Sequence, residues 1–199
     1  KVLQKDLHVV ALPAISRLDD GSREGASYRC VIHKEVKDRL NRLAQADNTS
    51  MFTVLLGLFN ILLSRVSGQE DILVGLPVSG REHISLQNIV GFFINTVILE
   101  THVDDNMIFN EFLGKENTNL LEVLQHQGYP MELVLDDLNM KFPPVNVFFN
   151  MLNLDPGLLE KELDSLESFH LDESVEVKFD LMVYIPEYKN GIEILCNYK

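Results

Sequence analysis

The sequence holds few residues whose types and spacing would suit catalysis or metal binding. Histidine is the usual acid–base residue, and the six histidines lie apart from one another, at positions 8, 33, 83, 102, 126 and 170. No Gly-x-Ser-x-Gly turn, His-Glu-x-x-His motif or phosphate-binding glycine loop occurs. Cys30 and Cys196 have no metal-ligand or redox spacing, so we interpret them as small buried strand residues. Generic motifs therefore predict no catalytic or metal-ligating residue.

One segment, residues 68–81, has a more informative spacing. It reads Gly-Gln-Glu-Asp-Ile-Leu-Val-Gly-Leu-Pro-Val-Ser-Gly-Arg. Gly75, Pro77 and Gly80 are typical of a strand end followed by a tight turn. Arg81 would leave that turn as a planar fork that can hold a carboxylate at two points. We interpret the glycines here as backbone requirements rather than substrate contacts.

This segment resembles the Gly-x-x-Asp-x-x-x-Gly-x-Pro-x-x-Gly-Arg motif of condensation domains in nonribosomal peptide synthetases. All six fixed positions match, at Gly68, Asp71, Gly75, Pro77, Gly80 and Arg81. Three further stretches are similar to later motifs of the family, in the same order: residues 89–96 with Gly91 and Asn95, residues 125–132, and the Phe-Asp-Leu at 179–181. The resemblance extends from about Ser27 to Lys199.

The resemblance implies an α/β (α+β) fold like one lobe of chloramphenicol acetyltransferase, with a mixed sheet flanked by helices. In the family two such lobes meet in a V, carrier proteins deliver thioesters on phosphopantetheine arms, and an amine attacks a thioester to form a peptide bond. The catalytic His-His-x-x-x-Asp-Gly belongs to the amino-terminal lobe and is absent here. We therefore predict a linker at residues 1–26, a carboxy-terminal lobe at 27–199, and a fragment that is inactive alone, with no directly bound cofactor.

The resemblance also implies site residues and partners. Arg81 would pair with the aspartate of the missing signature, and Asn95 would point its amide into the channel between the lobes. Glu100 stands where the family usually has an arginine, which reverses the charge at that place. The expected partners are the amino-terminal lobe, aminoacyl and peptidyl carrier proteins and an adjacent adenylation domain.

Two other functions fit the same residues. One is a noncatalytic module that docks carrier proteins or neighbouring domains. The other keeps the fold and changes the reaction, to epimerisation or another acyl transfer. Epimerising members usually carry a tryptophan near the second motif, and this chain has no tryptophan, which favours condensation.

Composition bounds these alternatives. The chain has 199 residues, 46% of them hydrophobic, which is enough for the core of one or two domains. Its 30 acidic and 17 basic residues give a net charge of -13, which argues against nucleic-acid binding. The longest apolar run, 51–63, is short for a membrane span, and no secretion signal is recognisable, so we expect a cytoplasmic protein. A lone lobe would expose its apolar seam and self-associate.

Hydrophobic periodicity then predicts the elements that must position the motif residues. Apolar spacing indicates amphipathic or buried helices, and alternation indicates strands. The predicted helices are 34–46, 51–66, 110–125 and 131–138. The first would turn Val36, Leu40 and Leu43 inward, and the second would be capped by residues 48–50 and ended by Gly68. The fourth would tolerate Pro130 in its first turn. The predicted strands are 27–33, 71–75, 89–99, 145–152, a single strand over 175–183, and its hairpin partner 191–197, while 154–166 is predicted as loop or helix.

Overall fold

The computed structural model describes residues 9–13, 24–81, 83–86, 88–141, 143–152, 175–188 and 190–199. Most of the predicted linker and the acidic stretch 154–166 lie outside these residues. Within the described ranges seven strands form a single sheet: β1 Glu24–His33, β2 Asp71–Val78, β3 Asn95–His102, β4 Val147–Leu152, β5 Val175–Glu176, β6 Leu181–Tyr188 and β7 Gly191–Tyr198. Because β1 starts at Glu24, the last three residues assigned to the linker belong to the sheet.

The sheet is mixed, as the sequence predicted. Its strand order is β3-β2-β4-β6-β7-β1-β5. The central pairs β2–β4 and β4–β6 are parallel, and the outer pairs β2–β3, β6–β7, β7–β1 and β1–β5 are antiparallel. The predicted hairpin between the last two strands is confirmed, with Tyr188 opposite Gly191 at its turn. Strands β2 and β3 at one end of this order carry the motif residues.

Among the described residues four α-helices accompany the sheet, close to the predicted positions: α1 Lys34–Ala46, α2 Met51–Ser67, α3 Phe109–Gln125 and α4 Met131–Asp137. Ser50 caps α2 by accepting a hydrogen bond from the Thr53 N–H, as the sequence predicted. Gly68 ends α2 with φ 71°, a left-handed conformation that glycine adopts without a Cβ penalty. Pro130 stands one position before α4, as its N-cap, rather than within the first turn.

The main core lies between one face of the sheet and the helices. Leu56 of α2, Val74 of β2 and Phe149 of β4 are among its fully buried members. A smaller cluster lies on the opposite face, where Phe148 stacks on Phe179 with ring centroids 3.9 Å apart. Burial of a large apolar side chain contributes roughly 1.5–3 kcal/mol, so the helix-covered face dominates stability.

Two helix predictions need correction. Val36 of α1 is exposed, and the inward position beside Leu40 is taken by Lys37, whose Nζ is held by the Tyr188 carbonyl and lies 3.0 Å from Glu187 Oε1. Helix α2, whose sequence is apolar nearly all round and would suit a helix sandwiched between layers, is buried on one face only. Its other face exposes Leu58, Leu62 and Val66, which are spaced one turn apart.

Three strand predictions also differ from the structure. Strand β2 continues through Pro77 to Val78, so Pro77 does not close it. The predicted strand at 175–183 is two strands, because residues 178–180 bend and the Asp180 carboxylate accepts a hydrogen bond from Asn146, at the start of the β4 region. The predicted strand at 89–99 begins only at Asn95. Residues 89–94 form a loop whose carbonyls bond a side chain rather than another strand.

No single helix of the described ranges has the length and apolarity that a membrane crossing requires. Helices α1 and α2 meet those criteria only as a pair, and they are bent by 103° relative to each other.

Candidate functional site

Arg81 organises the loop that follows β2. Its Nη1 donates to the carbonyl of Leu86 and, over 2.8 Å, to that of Ile89, and its Nη2 donates to the Gly91 carbonyl over 3.4 Å. The guanidinium carbon also lies 4.3 Å from the ring centroid of Phe93. A planar cation that binds three carbonyls and one aromatic face fixes the loop between the first and second motifs.

The exposed side of this loop is strongly apolar. Val90 is 100% exposed and Phe92 is 89% exposed, and they have exposed neighbours at Ile84, Ile89 and Ile94. We refer to residues 84–94 as the Arg81 loop. The ring of Phe93 lies beneath the guanidinium and Leu86 is half-buried, while Ile84, Ile89, Val90, Phe92 and Ile94 face solvent. A rigid loop that presents several apolar side chains is typical of a surface that contacts another protein segment.

Glycine at position 80 is required by geometry. Its φ is +61°, and a Cβ placed there would lie 1.9 Å from the Phe93 carbonyl oxygen, far inside van der Waals contact. Gly75 is restricted differently, since its Cβ would lie 2.7 Å from the Phe148 ring. These two positions let the backbone of β2 and its turn approach an aromatic ring and the Arg81 loop.

The sequence resemblance suggested that Asn95 points its amide into a channel, but in the structure this amide is bonded within the chain. Its Nδ2 donates to the carbonyls of Gln127 and Tyr129, both at 2.8 Å. Its Oδ1 accepts from the backbone N–H of Met131 at 3.2 Å and of Thr96 at 2.9 Å. The side chain therefore joins the second motif to the third and satisfies a free N–H at the start of α4.

Other polar residues of the motifs have local partners. Asp71 Oδ1 lies 2.7 Å from His102 Nδ1 across the β2–β3 pair, and both side chains are exposed. His83 Nδ1 lies 2.8 Å from the Ser85 hydroxyl. In the described ranges no three metal-ligating His, Cys, Asp or Glu side chains cluster together. The site thus fixes the Arg81 loop with its apolar side chains exposed. The contacts of the described residues give it no nucleophile with an oriented base.

A cavity of about 580 Å³ is bounded by β2, β3, the carboxy-terminal part of α3, and α4. Its charged and polar lining includes Glu100, Asn119, His126, Tyr129 and Asp137. The Tyr129 hydroxyl donates to Asp137 Oδ2 over 3.2 Å, and this bond together with the carboxylate charge raises the pKa of the phenol. No sequence pattern marks this cavity, because its lining comes from four elements, β2, β3, α3 and α4, that are separated along the chain.

A buried polar cluster was also missed. Glu116 of α3 is 2% exposed, and its carboxyl oxygens lie 2.7 Å from Asn60 Nδ2 and 3.0 Å from Thr101 Oγ1. Burial raises the pKa of Glu116, and the hydrogen bonds from Thr101 and Asn60 offset only part of that effect. The Asn60 Oδ1 is itself buried without a partner among the described residues. Helical periodicity does mark position 116 as inward, between Phe112 and Leu120.

Comparison with known proteins identifies the family. Residues 1–199 match the Condensation domain family along their whole length. The chain belongs to the condensation-domain family. It is 32% identical over 205 residues to surfactin synthase subunit 1 of Bacillus subtilis, with 98% of this chain and 6% of the relative covered. It is 34% identical over 199 residues to tyrocidine synthase 3 of Brevibacillus parabrevis, with 97% and 3% covered.

The fold of this condensation-family chain is also that of solved relatives. The condensation domain of the Monacolin K polyketide synthase MokA superposes with a TM-score of 0.75 at 15% identity. That superposition covers 97% of this chain and 46% of the solved chain. The chain thus spans less than a tenth of the curated synthetases it matches and about half of a solved condensation-domain chain.

Proposed function

We propose that this chain is the carboxy-terminal lobe of a condensation domain in a nonribosomal peptide synthetase. The parent enzyme would form a peptide bond between aminoacyl and peptidyl thioesters that carrier proteins present on phosphopantetheine arms. The fragment alone is inactive, because the His-His-x-x-x-Asp-Gly signature is absent from its sequence. The observation that carries the proposal is the Arg81 loop, a fixed apolar surface at the family's first two motifs.

The exposure of the loop supports a partner lobe. Val90 and Phe92 are almost fully exposed, although the backbone beside them is fixed. Arg81 binds the carbonyls of this segment and packs on the ring of Phe93. Burying one such side chain contributes roughly 1.5–3 kcal/mol, so a rigid loop with several of them favours a protein contact. The amino-terminal lobe of the same domain is the partner that the family organisation supplies.

The remaining donors of Arg81 fit its expected role toward that lobe. An arginine has five N–H groups, and three of them bond the carbonyls of the Arg81 loop. Nε and one Nη2 hydrogen have no acceptor within the described part of the chain, and two such donors can bind a carboxylate in a bidentate pair. We assign that carboxylate to the aspartate of the catalytic signature.

Mutating Arg81 in the parent synthetase tests this assignment. Arg81→Ala should lower peptide formation at least tenfold in an assay with pre-loaded carrier proteins, because it removes both the loop support and the carboxylate partner. Arg81→Lys should also lose most activity, since an ammonium cannot make the bidentate pair. Carrier loading should not change, and Arg42→Ala, an exposed arginine on α1, serves as the matched control.

A double-mutant cycle distinguishes pairing from general loop damage. If Arg81 and the signature aspartate act together, replacing both should cost little more than replacing one. Additive losses would contradict the pairing. A parent reading frame without an upstream His-His-x-x-x-Asp-Gly would contradict the catalytic assignment itself and favour a noncatalytic docking module.

A further inference from the structure

The cavity beside β3 has the size and lining of a small-molecule site. Its volume of about 580 Å³ lies within the common range for such sites, about 300–1,000 Å³. Its walls are mainly apolar and come from β2, β3, α3, α4 and the residue after α4: Leu73, Val97, Ile98, Val123, Met131, Val134 and Leu138. A site of this kind needs a few polar groups to choose and orient its ligand, and here two of them are carboxylates.

Two carboxylates lie on this lining. Glu100 projects from β3, and Asp137 ends α4. Neither forms an ion pair with a lysine, arginine or histidine of the described residues, and Asp137 is bonded by the neutral Tyr129 hydroxyl. His126 and Tyr129 are the other titratable groups among the described lining residues.

Glu100 also lines a second cavity, which contains a lysine. Lys115 lines that second cavity, of about 560 Å³, and its Nζ lies 3.4 Å from Glu111 rather than in an ion pair with Glu100. The peptide oxygen of Glu100 accepts from Asn119 Nδ2 over 2.5 Å, which fixes β3 against α3 and leaves the carboxylate free of that bond. The first cavity therefore combines an apolar interior with two carboxylates that form no ion pair among the described residues.

We propose that this cavity binds an apolar molecule that carries one protonated amine, and that Glu100 selects it. The apolar body would displace water from the walls of β2, α3 and α4, and the ammonium would pair with Glu100. An ion pair beside low-dielectric walls is stronger than one in bulk water, whereas an anion of the same shape would meet two carboxylates. This inference concerns a different site from the Arg81 loop and does not depend on the proposed function.

Three probes with one carbon skeleton test the proposal: 4-phenylbutylamine, 4-phenylbutanol and 4-phenylbutanoate. Each is titrated into the ¹⁵N-labelled 199-residue chain at pH 7 and followed by amide chemical shifts. The amine should bind at least tenfold more tightly than the acid, with the alcohol between them. The shifts should be concentrated at Thr96, Ile98, Asn119 and Val123, which surround the cavity. Equal affinities, or shifts confined to the Arg81 loop, would overturn the proposal.

Variants that change the charge at Glu100 distinguish selection of the amine from simple binding of the apolar part of the ligand. Glu100→Gln should weaken amine binding about tenfold and leave the alcohol unchanged, and Glu100→Arg should invert the preference toward the acid. Glu122→Gln removes the same charge from an exposed position of α3 outside the cavity and should behave as the unmodified chain. If Glu100→Gln binds the amine as before, Glu100 does not select the ligand. If the Glu100 variants do not fold, Asp137→Asn removes the other carboxylate of the cavity, and it should likewise weaken binding of the amine and leave binding of the alcohol unchanged.

Discussion

At the scale of single residues, the buried carboxyl of Glu116 makes a specific prediction for stability against pH. Its pKa is raised above the ordinary 4.5, chiefly by burial, so the folded state holds the proton more tightly than the unfolded chain. Stability should therefore fall as the pH rises from about 4.5 toward the folded-state pKa, and level off above it. Glu116→Gln removes this penalty and should stabilise the protein at pH 7 by about 1 kcal/mol, the usual scale for one buried polar group.

Urea unfolding between pH 4.5 and 8 measures this effect. The unmodified chain should lose stability across the range relative to Glu116→Gln, and the two should converge at the acidic end. Glu122→Gln, an exposed position on the same helix, should follow the unmodified chain. A variant that is less stable at every pH would show that the carboxylate is needed by Asn60 and Thr101 in its charged form.

The residue scale also shows where sequence reasoning reached and where it stopped. The motif spacing singled out Arg81 and Asn95, and both do organise the loops between motifs. Their partners were not predictable, because the acceptors are backbone carbonyls of residues 86–91 and 127–129, and a carbonyl has no residue type to recognise. The resemblance suggested a channel contact for Asn95, and the folded chain uses its amide to start α4 instead.

At the scale of elements, the two glycines with positive φ at the ends of the first motif form a matched pair. Gly68 has φ +71° and open space where an added methyl group would lie, whereas Gly80 has φ +61° and would bring that methyl 1.9 Å from the Phe93 carbonyl oxygen. Gly68→Ala should cost only the left-handed penalty, roughly 1–2 kcal/mol. Gly80→Ala adds a backbone clash and should release the Arg81 loop.

Hydrogen exchange on the two variants tests this difference. Gly68→Ala should lower the global unfolding free energy with a normal pattern of protection. Gly80→Ala should in addition speed exchange in residues 88–96, because the loop must move away from the β2 turn. Similar exchange in both variants would mean that the loop tolerates the displacement and that the Gly80–Phe93 approach is not required.

Elements were predicted well where periodicity and capping agreed. They were predicted poorly where hydrogen bonds to a side chain take the place of the hydrogen bonds between strands. Helices α1, α2 and α3 start within one residue of the prediction, because apolar spacing, the Ser50 cap and the Gly68 stop are all local signals. The strand predicted from residue 89 starts at Asn95, because Arg81 takes the carbonyls that a neighbouring strand would need. The strand predicted over 175–183 breaks, because Asp180 is held by Asn146.

At the scale of the whole molecule, the exposed large apolar side chains of the described residues include two separate groups. One is the Arg81 loop, and the other is the stripe of Leu58, Leu62 and Val66 on α2. The main core lies between the sheet and the helices and contains neither set. Neither set is therefore needed to complete the core of the chain. The proposed function places the loop, and not the stripe, at the seam between lobes, and the two sets can be separated by mutation.

We expect the isolated chain to self-associate through the Arg81 loop, since a second copy can cover the same side chains that a partner lobe would. Val90→Ser with Phe92→Ser should raise the dissociation constant at least tenfold, because each apolar side chain contributes roughly 1.5–3 kcal/mol when buried. Sedimentation velocity across a concentration series measures it, with Leu58→Ser and Leu62→Ser as the matched pair on α2. A clean monomer at high concentration would contradict the expectation. If only the α2 pair reduces association, the adhesive surface is the helix, and the seam proposed for the loop loses its physical basis.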